Sequence, residues 1–293
     1  MCGAFILDSI VERIGKIIFK ITAIILSTLP EAITTVLIRL SAISLFAFSP
    51  GKRRNVRRNL SIAGMRREEI TNRHIMKIFE NQTRNTFELF ASTRWSDEKI
   101  AQRFTIEGKE IMDEAVALGR GTILVSPHVG NWELAAIYLN SLGYKLYVVA
   151  GVQLNRLLTG AVREVKEKRG IEVISPDDSY RKFFKALKSN GIIALLLDGD
   201  VYTSSVRLKF FGRETDLPRG PVSLSRKSGA PIVGGYCRRL KNGRFHIFCE
   251  KILDGKELEE ISNEEAKKKV YNHMENYIKM NLDEWCIFRN IWG

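Results

Sequence analysis

The chain has 293 residues, 45% hydrophobic and 27% charged, which is enough to bury one sizeable core and excludes a disordered or collagen-like chain. Lysine and arginine total 46 against 33 aspartates and glutamates, and the resulting +13 favours an anionic partner or surface. The four cysteines, Cys2, Cys237, Cys249 and Cys286, form no C-x-x-C pair, which argues against a zinc ribbon or a disulfide-stapled secreted domain.

Charge and hydropathy are uneven along the chain. Residues 1–73 carry twelve basic and five acidic side chains, and five of the seven residues from Lys52 to Arg58 are basic. From Phe5 to Phe48 the chain is apolar but broken by Lys16, Lys20, Glu31 and Arg39. No uncharged run therefore reaches the roughly 18 to 20 residues of a conventional spanning helix. Arg13, Lys16 and Lys20 share one helix face, while Ile14, Ile17, Ile18, Ile21 and Ile25 occupy the other, an interfacial pattern. With the basic run behind it, residues 1–50 read as a membrane-associating helical segment. The domain over residues 51–293 is then expected on the cytoplasmic side of the inner (plasma) membrane.

The remainder alternates. Apolar spacing predicts a helix from Glu68 to Ser92, a buried strand at Thr122 to Ser126, a helix at Asn131 to Ser141 and a strand at Leu146 to Ala150. Helix, strand and helix follow at Asn155 to Arg169, Ile171 to Ile174 and Ser179 to Ser189. Ile192 to Leu197 is apolar throughout and reads as a central strand covered on both faces. Strands at Val206 to Phe210, Ile232 to Tyr236 and Phe245 to Lys251, with helices at Gly220 to Ser228 and Asn263 to Met280, complete the domain. The fold class is α/β, a largely parallel central sheet flanked by helices, and sites in such sheets gather at the strands' carboxyl ends.

Two clusters fall at that edge. In SPHVGNWE, His128 follows the first strand by one proline, and Glu133 lies five positions later in the first turn of the next helix. His74, His246 and His273 have Phe79, Lys251 and Ile278 at that spacing, so the pairing is particular to His128. Such a site suits a neutral imidazole that takes a proton from a hydroxyl, with a carboxylate fixing its tautomer and helix-end amides facing a developing oxyanion. The alternative is plain capping, with Glu133 complementing the helix dipole.

The second cluster is Asp198 and Asp200 around Gly199, directly after the most apolar strand. Buried carboxylates there need a cation, a histidine or a substrate. A metal pair is the rival reading, but no further acid or histidine stands at ligand spacing, so neither metal nor cofactor is expected. Arg163, Lys166 and Arg169 on one predicted helix, Arg207 and Lys209 on a strand, and Arg213 and Arg219 around a turn are candidates for phosphate, or else solvated faces.

SPHVGNWELA, the arginine-bearing helix from Arg163 to Gly170, the strand into DGD, and FFGRETDLPRGPVSLSRKSGAPIV together resemble the lipid A biosynthesis acyltransferase family. That family includes late lauroyl and myristoyl transferases and the actinobacterial phosphatidylinositol mannoside acyltransferases. The likeness runs from the apolar amino terminus through RRNVRRNL to about residue 250. It implies O-acyl transfer from an acyl thioester, on acyl carrier protein or CoA, to a hydroxyl of a lipid or glycolipid at the membrane, with no metal and no nucleic acid. His128 matches the base, Glu133 the acid of the histidine motif, and Asp198 an acid that supports the histidine in some members; of the two carboxylates Asp198 is favoured to orient His128, with Glu133 directed at the acceptor head group or an arginine. Asn131, Arg163 and Asp200 match positions near the substrate, and Arg169 and Arg219 are expected there as cations. Trp132, Phe183, Phe184 and Phe211 are candidates to line an acyl channel. The rival classes are a basic membrane-attached protein that binds anionic polymers, which has no nucleic-acid motif to support it, and a thioester or lipid hydrolase, which has no G-x-S-x-G elbow.

Overall fold

A computed structural model describes residues 24–25, 28–151, 156–199 and 205–292. The cationic face at Arg13, Lys16 and Lys20 lies outside the described residues, as does Asp200. Among the described residues nine strands follow in chain order: β1 Phe104–Glu107, β2 Thr122–Ser126, β3 Leu146–Val149, β4 Glu172–Ile174, β5 Ile192–Leu196, β6 Ser205–Phe210, β7 Arg213–Pro218, β8 Ile232–Arg239 and β9 Phe245–Leu253. Seven of them form one sheet in the order β1-β9-β8-β2-β5-β3-β4. From β8 to β4 every pairing is parallel, whereas β9 runs antiparallel to β8 and carries β1 parallel to itself. The expected mixed α/β architecture with a mostly parallel sheet is what the chain adopts.

The helices are α1 Glu31–Phe48, α2 Pro50–Ile62, α3 Asn72–Ala91, α4 Asp97–Ala101, α5 Lys109–Ala117, α6 Trp132–Ser141, α7 Arg156–Lys168, α8 Tyr180–Lys188, α9 Gly220–Ser228, α10 Gly255–Glu260 and α11 Asn263–Met280. Strand alternation sends side chains to two cores. Ile123, Val125, Ile193 and Leu195 join Val222 and Met274 on one face, while Leu124, Ile192, Leu146 and Val148 join Leu134, Ile137 and Val165 on the other. Strands buried on both faces have no polar side to show, which is why TILVS and IIALLL read as unbroken apolar runs.

Three expectations shift. Val206 to Phe210 is a strand, but it pairs with β7 in a separate antiparallel ribbon rather than completing the main sheet. Its Val-Arg-Leu-Lys-Phe alternation is that of a ribbon with one face in water. Helix α3 begins at Asn72 rather than Glu68, because Thr71 accepts the His74 amide as N-cap while Arg66 and Glu69 close the preceding turn. Strand β8 runs on to Arg239, past the end of its partner β2, which brings it alongside the residues that follow β2.

Helix α1 packs against α3 through Ile38 and Ala42, both buried, and through Phe46, whose ring meets Phe79 edge-on at 5.5 Å. Ile33, Val36, Leu40 and Ile43 recur at helical spacing on the opposite side and are exposed. By length and composition α1 is apolar enough to cross a membrane. A small third cluster of Val56, Leu60, Ile75, Ile78, Phe79 and Cys286 ties α2 and α3 to the carboxyl-terminal segment.

Candidate active site

The parallel register assembles the centre of the site. Ser126 at the end of β2 pairs with Leu196 at the end of β5, and two residues beyond each stand His128 and Asp198. His128 Nδ1 lies 2.7 Å from Asp198 Oδ1, and the His128 backbone amide donates to Oδ2 at 2.8 Å. Asp198 is fully buried, while the His128 side chain keeps 20% of its surface exposed. Burial opposes the Asp198 charge, but the charge and hydrogen bonds of His128, together with Trp285, outweigh it and hold the carboxyl below its usual range. An ionised carboxylate can only accept, so the proton of a neutral imidazole sits on Nδ1 and Nε2 keeps a basic lone pair.

The third donor to Asp198 is a residue that the sequence does not advertise. Trp285 Nε1 donates to Oδ2 at 2.8 Å, held there by a carboxyl-terminal segment in which Val129 bridges Trp285 and the Cys286 amide donates to the His128 carbonyl at 2.8 Å. Asn59 on α2 clamps the same segment by donating to the carbonyls of Ile287 and Arg289. The Arg289 guanidinium lies against Gly199, beside Asp198, where a side chain on that residue would collide with it. Contacts between residues over eighty positions apart leave no local pattern for a sequence reading to find.

Beside the turn that carries His128 lies a buried ionic network. Arg239 at the end of β8 forks onto Glu88 of α3, with donor distances of 2.6 and 2.7 Å, and also reaches Asn85 at 3.0 Å. Glu88 accepts from Asn131 at 2.9 Å, and Asn85 donates to the Gly130 carbonyl at 2.5 Å. Gly130 sits at φ +65, and any side chain there would strike the backbone carbonyl of Cys237. Removing one partner of a buried pair strands the other, at about 3–5 kcal/mol, whereas apolar replacement of both is often neutral. Glu88→Leu alone should therefore lower the melting temperature steeply. Glu88→Leu with Arg239→Met should recover most of it but not kcat, because Asn131 and Arg239 no longer brace the turn. Recovery of both quantities would make the network purely structural.

The remaining predicted residues take other partners. Glu133 does not meet His128: its carboxylate pairs at 2.7 Å with Lys166 of α7, and both side chains are largely buried. Glu133→Gln should thus depress melting temperature more than kcat, and a collapse of kcat in a stably folded variant would return Glu133 to the chemistry. Asn131 caps α6, its side chain accepting the Leu134 amide at 3.1 Å while donating to Glu88. Arg169 donates to the carbonyls of Ser92 and Trp95 and pairs with Asp97 at 2.8 Å, bracing the α3–α4 junction rather than facing His128. Arg163 is exposed and pairs with Glu167, and Arg219 is exposed at the start of α9. Arg163, Lys166 and Arg169 thus take three different partners, Glu167, Glu133 and Asp97. Of the proposed channel residues, Trp132 packs edge-on to His128 at 4.8 Å. Phe183 is core, and Phe184 and Phe211 pack partly buried against that core. Among the described residues no group of three or more histidine, cysteine or acidic side chains is arranged to hold a metal.

Comparison with known proteins places the chain in a family. The phosphatidylinositol mannoside acyltransferase of Mycobacterium tuberculosis strain H37Rv is 28% identical over 156 residues, which cover 51% of this chain and 49% of that protein. Its counterpart in Mycolicibacterium smegmatis is 26% identical over 198 residues, 66% of this chain and 65% of that one. The chain therefore spans about half to two thirds of the length of these relatives. The model of the bacterial lipid A biosynthesis acyltransferases matches residues 9–293, nearly the whole chain, and the chain belongs to that family.

Proposed function

We propose that the protein transfers a fatty acyl group from an acyl thioester to a hydroxyl of a glycolipid at the cytoplasmic face of the inner membrane. The observation that carries this reading is the His128–Asp198 pair, partly open at the sheet's carboxyl edge, in a chain of this family. Nε2 of His128 accepts the proton of the acceptor hydroxyl as its oxygen attacks the thioester carbonyl carbon. The tetrahedral oxyanion faces the amino-terminal end of α6, where the Gly130 and Trp132 amides stand. Its collapse breaks the carbon–sulfur bond, and the imidazolium returns the proton to the leaving thiolate. Ester and free thiol are the products, and no bond to the enzyme is made. Acyl carrier protein, being acidic, suits the basic surface better than CoA as donor.

Membranes containing the protein, supplied with acyl carrier protein thioesters and an extracted glycolipid pool, test the reaction. A new lipid heavier by one acyl group supports it. Thiol release that is indifferent to the lipid would replace transfer with hydrolysis.

The outward stripe of Ile33, Val36, Leu40 and Ile43, followed by exposed Arg54, Arg57 and Arg58 on α2, supports attachment of α1 along the membrane surface. Helix α1 meets α3 through Ile38, Ala42 and Phe46, and this contact on one face favours lying in the interface over spanning. Each basic residue near an anionic leaflet adds about 1 kcal/mol. Leu40→Asp with Ile43→Asp should release the protein from anionic vesicles in a flotation assay while the fold persists. Retention at wild-type level would move the attachment elsewhere.

A further inference from the structure

Two tryptophans of the carboxyl-terminal segment, both buried, spend their N–H groups differently. Trp292 Nε1 donates to the Phe210 carbonyl at 3.2 Å, an ordinary way to satisfy a buried indole. Trp285 Nε1 donates instead to a buried side chain, Asp198 Oδ2, at 2.8 Å. A buried carboxylate needs donors, and a cation would be the strongest. A cation would also offset the negative charge with which Asp198 supports an imidazolium. A neutral N–H holds the carboxylate and leaves that charge in place.

The two oxygens of Asp198 divide the work. Oδ2 takes the His128 amide and Trp285, and Oδ1 takes the His128 ring at 2.7 Å. Rotation about the last torsion of an aspartate is soft, so a single donor on Oδ2 would leave the plane of the carboxylate loosely set. Two donors on that oxygen set the plane and turn Oδ1 toward Nδ1. Among the described residues the titratable and charged groups beside Asp198 are His128, the Arg289 guanidinium against Gly199, and the Cys286 thiol, which burial keeps protonated.

The indole is wedged as well as buried. Phe211 packs against it at 5.8 Å, and Trp292 meets it edge-on at 6.3 Å. Phe211 stands at the tip of the β6–β7 ribbon with φ +50, a left-handed conformation that is costly for a bulky side chain and natural to glycine or asparagine. Its amide donates to Glu275 of α11 at 2.6 Å, and the ring fixed in this way is spent on Trp285. A turn built for its own sake would not carry phenylalanine there. We propose that Trp285 is a positioning residue of the acyl transfer, wedged by Phe211 and Trp292 so that its N–H aims Asp198 at His128, an assignment that rests on the general-base reading and deepens it.

Deleting the N–H while keeping an aromatic ring tests this. Trp285→Phe does so with a natural residue, and 3-benzothienylalanine at position 285, with sulfur in place of N–H, keeps the fused ring should the smaller phenyl fail to fold. Acyl transfer from acyl carrier protein thioester to extracted glycolipid is measured with the full chain in detergent, beside melting temperature across pH. Both variants should lose kcat by about 10- to 100-fold, the usual cost of a loosened catalytic group, with the KM values little changed. The stability that the Asp198 carboxylate contributes is lost as pH falls through its native pKa. With one donor fewer that pKa rises, so the acid loss of stability should set in about one pH unit higher than in the wild type. In an Asp198→Asn background the same replacements should leave the pH dependence of melting unmoved. Wild-type kcat in a folded variant, or a lower kcat with the acid loss of stability unmoved, would make Trp285 packing alone and overturn the assignment. A wild type that transfers no acyl group would count against the proposed reaction alone, since the melts need no turnover and still report whether the N–H holds Asp198.

Discussion

Asp198→Asn is expected to lower kcat by three to four orders of magnitude while leaving the fold nearly isosteric, because the substitution forces the wrong tautomer on His128. Three donors converge on the Asp198 carboxylate: the His128 ring, the His128 amide and Trp285 Nε1. Asparagine has one oxygen. If that oxygen serves the two donors that now share Oδ2, the amide NH2 faces Nδ1, which must then accept, and the remaining proton moves to Nε2 where the base is needed. A wrong-tautomer lesion of this kind costs about 10⁴-fold in serine-protease triads. Acyl transfer within tenfold of wild type in a folded Asp198→Asn variant would exclude the tautomer role.

The pH behaviour has a definite sign. The native Asp198 carboxyl is held below its ordinary range, so the stability it contributes is complete above the unfolded pKa. That contribution is lost as pH falls through the lower native value. Asp198 is therefore ionised across neutral and mildly acidic pH, and any acid limb of the rate profile in that range belongs to another group. A profile of the wild type beside thermal melts at each pH separates the two, because loss of Asp198 ionisation would lower both together.

The strands and helices of the central sheet were legible because both faces of a parallel sheet are buried, and Ile192 to Leu197 had no other reading. His128 and Asp198 were legible for a related reason: each follows an apolar strand by one or two residues, where side chains leave the sheet together. Their pairing needed only the register of β2 and β5. What remained hidden depends on contacts distant in sequence. Trp285 reaches Asp198 across 87 positions, and Arg239 reaches Glu88 across 151. For Glu133, spacing and helix position fit a catalytic acid, the sequence left open whether it or Asp198 orients His128 while favouring Asp198, and nothing local shows that Lys166 would be buried against it. The same holds for Asn131 and Arg169, whose polar groups are consumed by a cap and by backbone carbonyls. A cation in a sequence shows charge but not whether the fold has already neutralised it.

His128→Ala should reduce kcat by about 10² to 10⁴-fold, the usual worth of a positioned general base. The fold should survive, since the ring is partly exposed and its main neighbours are Trp132 and Asp198. Two of the three donors to the buried carboxylate also remain, because one is the backbone amide of residue 128 itself and the other is Trp285. The variant should still float with anionic vesicles, because the exposed stripe of α1 and the basic helix behind it lie outside the dyad. Loss of turnover with binding retained separates chemistry from attachment. The alanine leaves a ring-sized gap beside an ionised carboxylate, so added imidazole should restore part of the rate, and it should do so less when Asp198 is also replaced by asparagine. Wild-type turnover in His128→Ala would remove the general base from the mechanism and with it the assignment of the site.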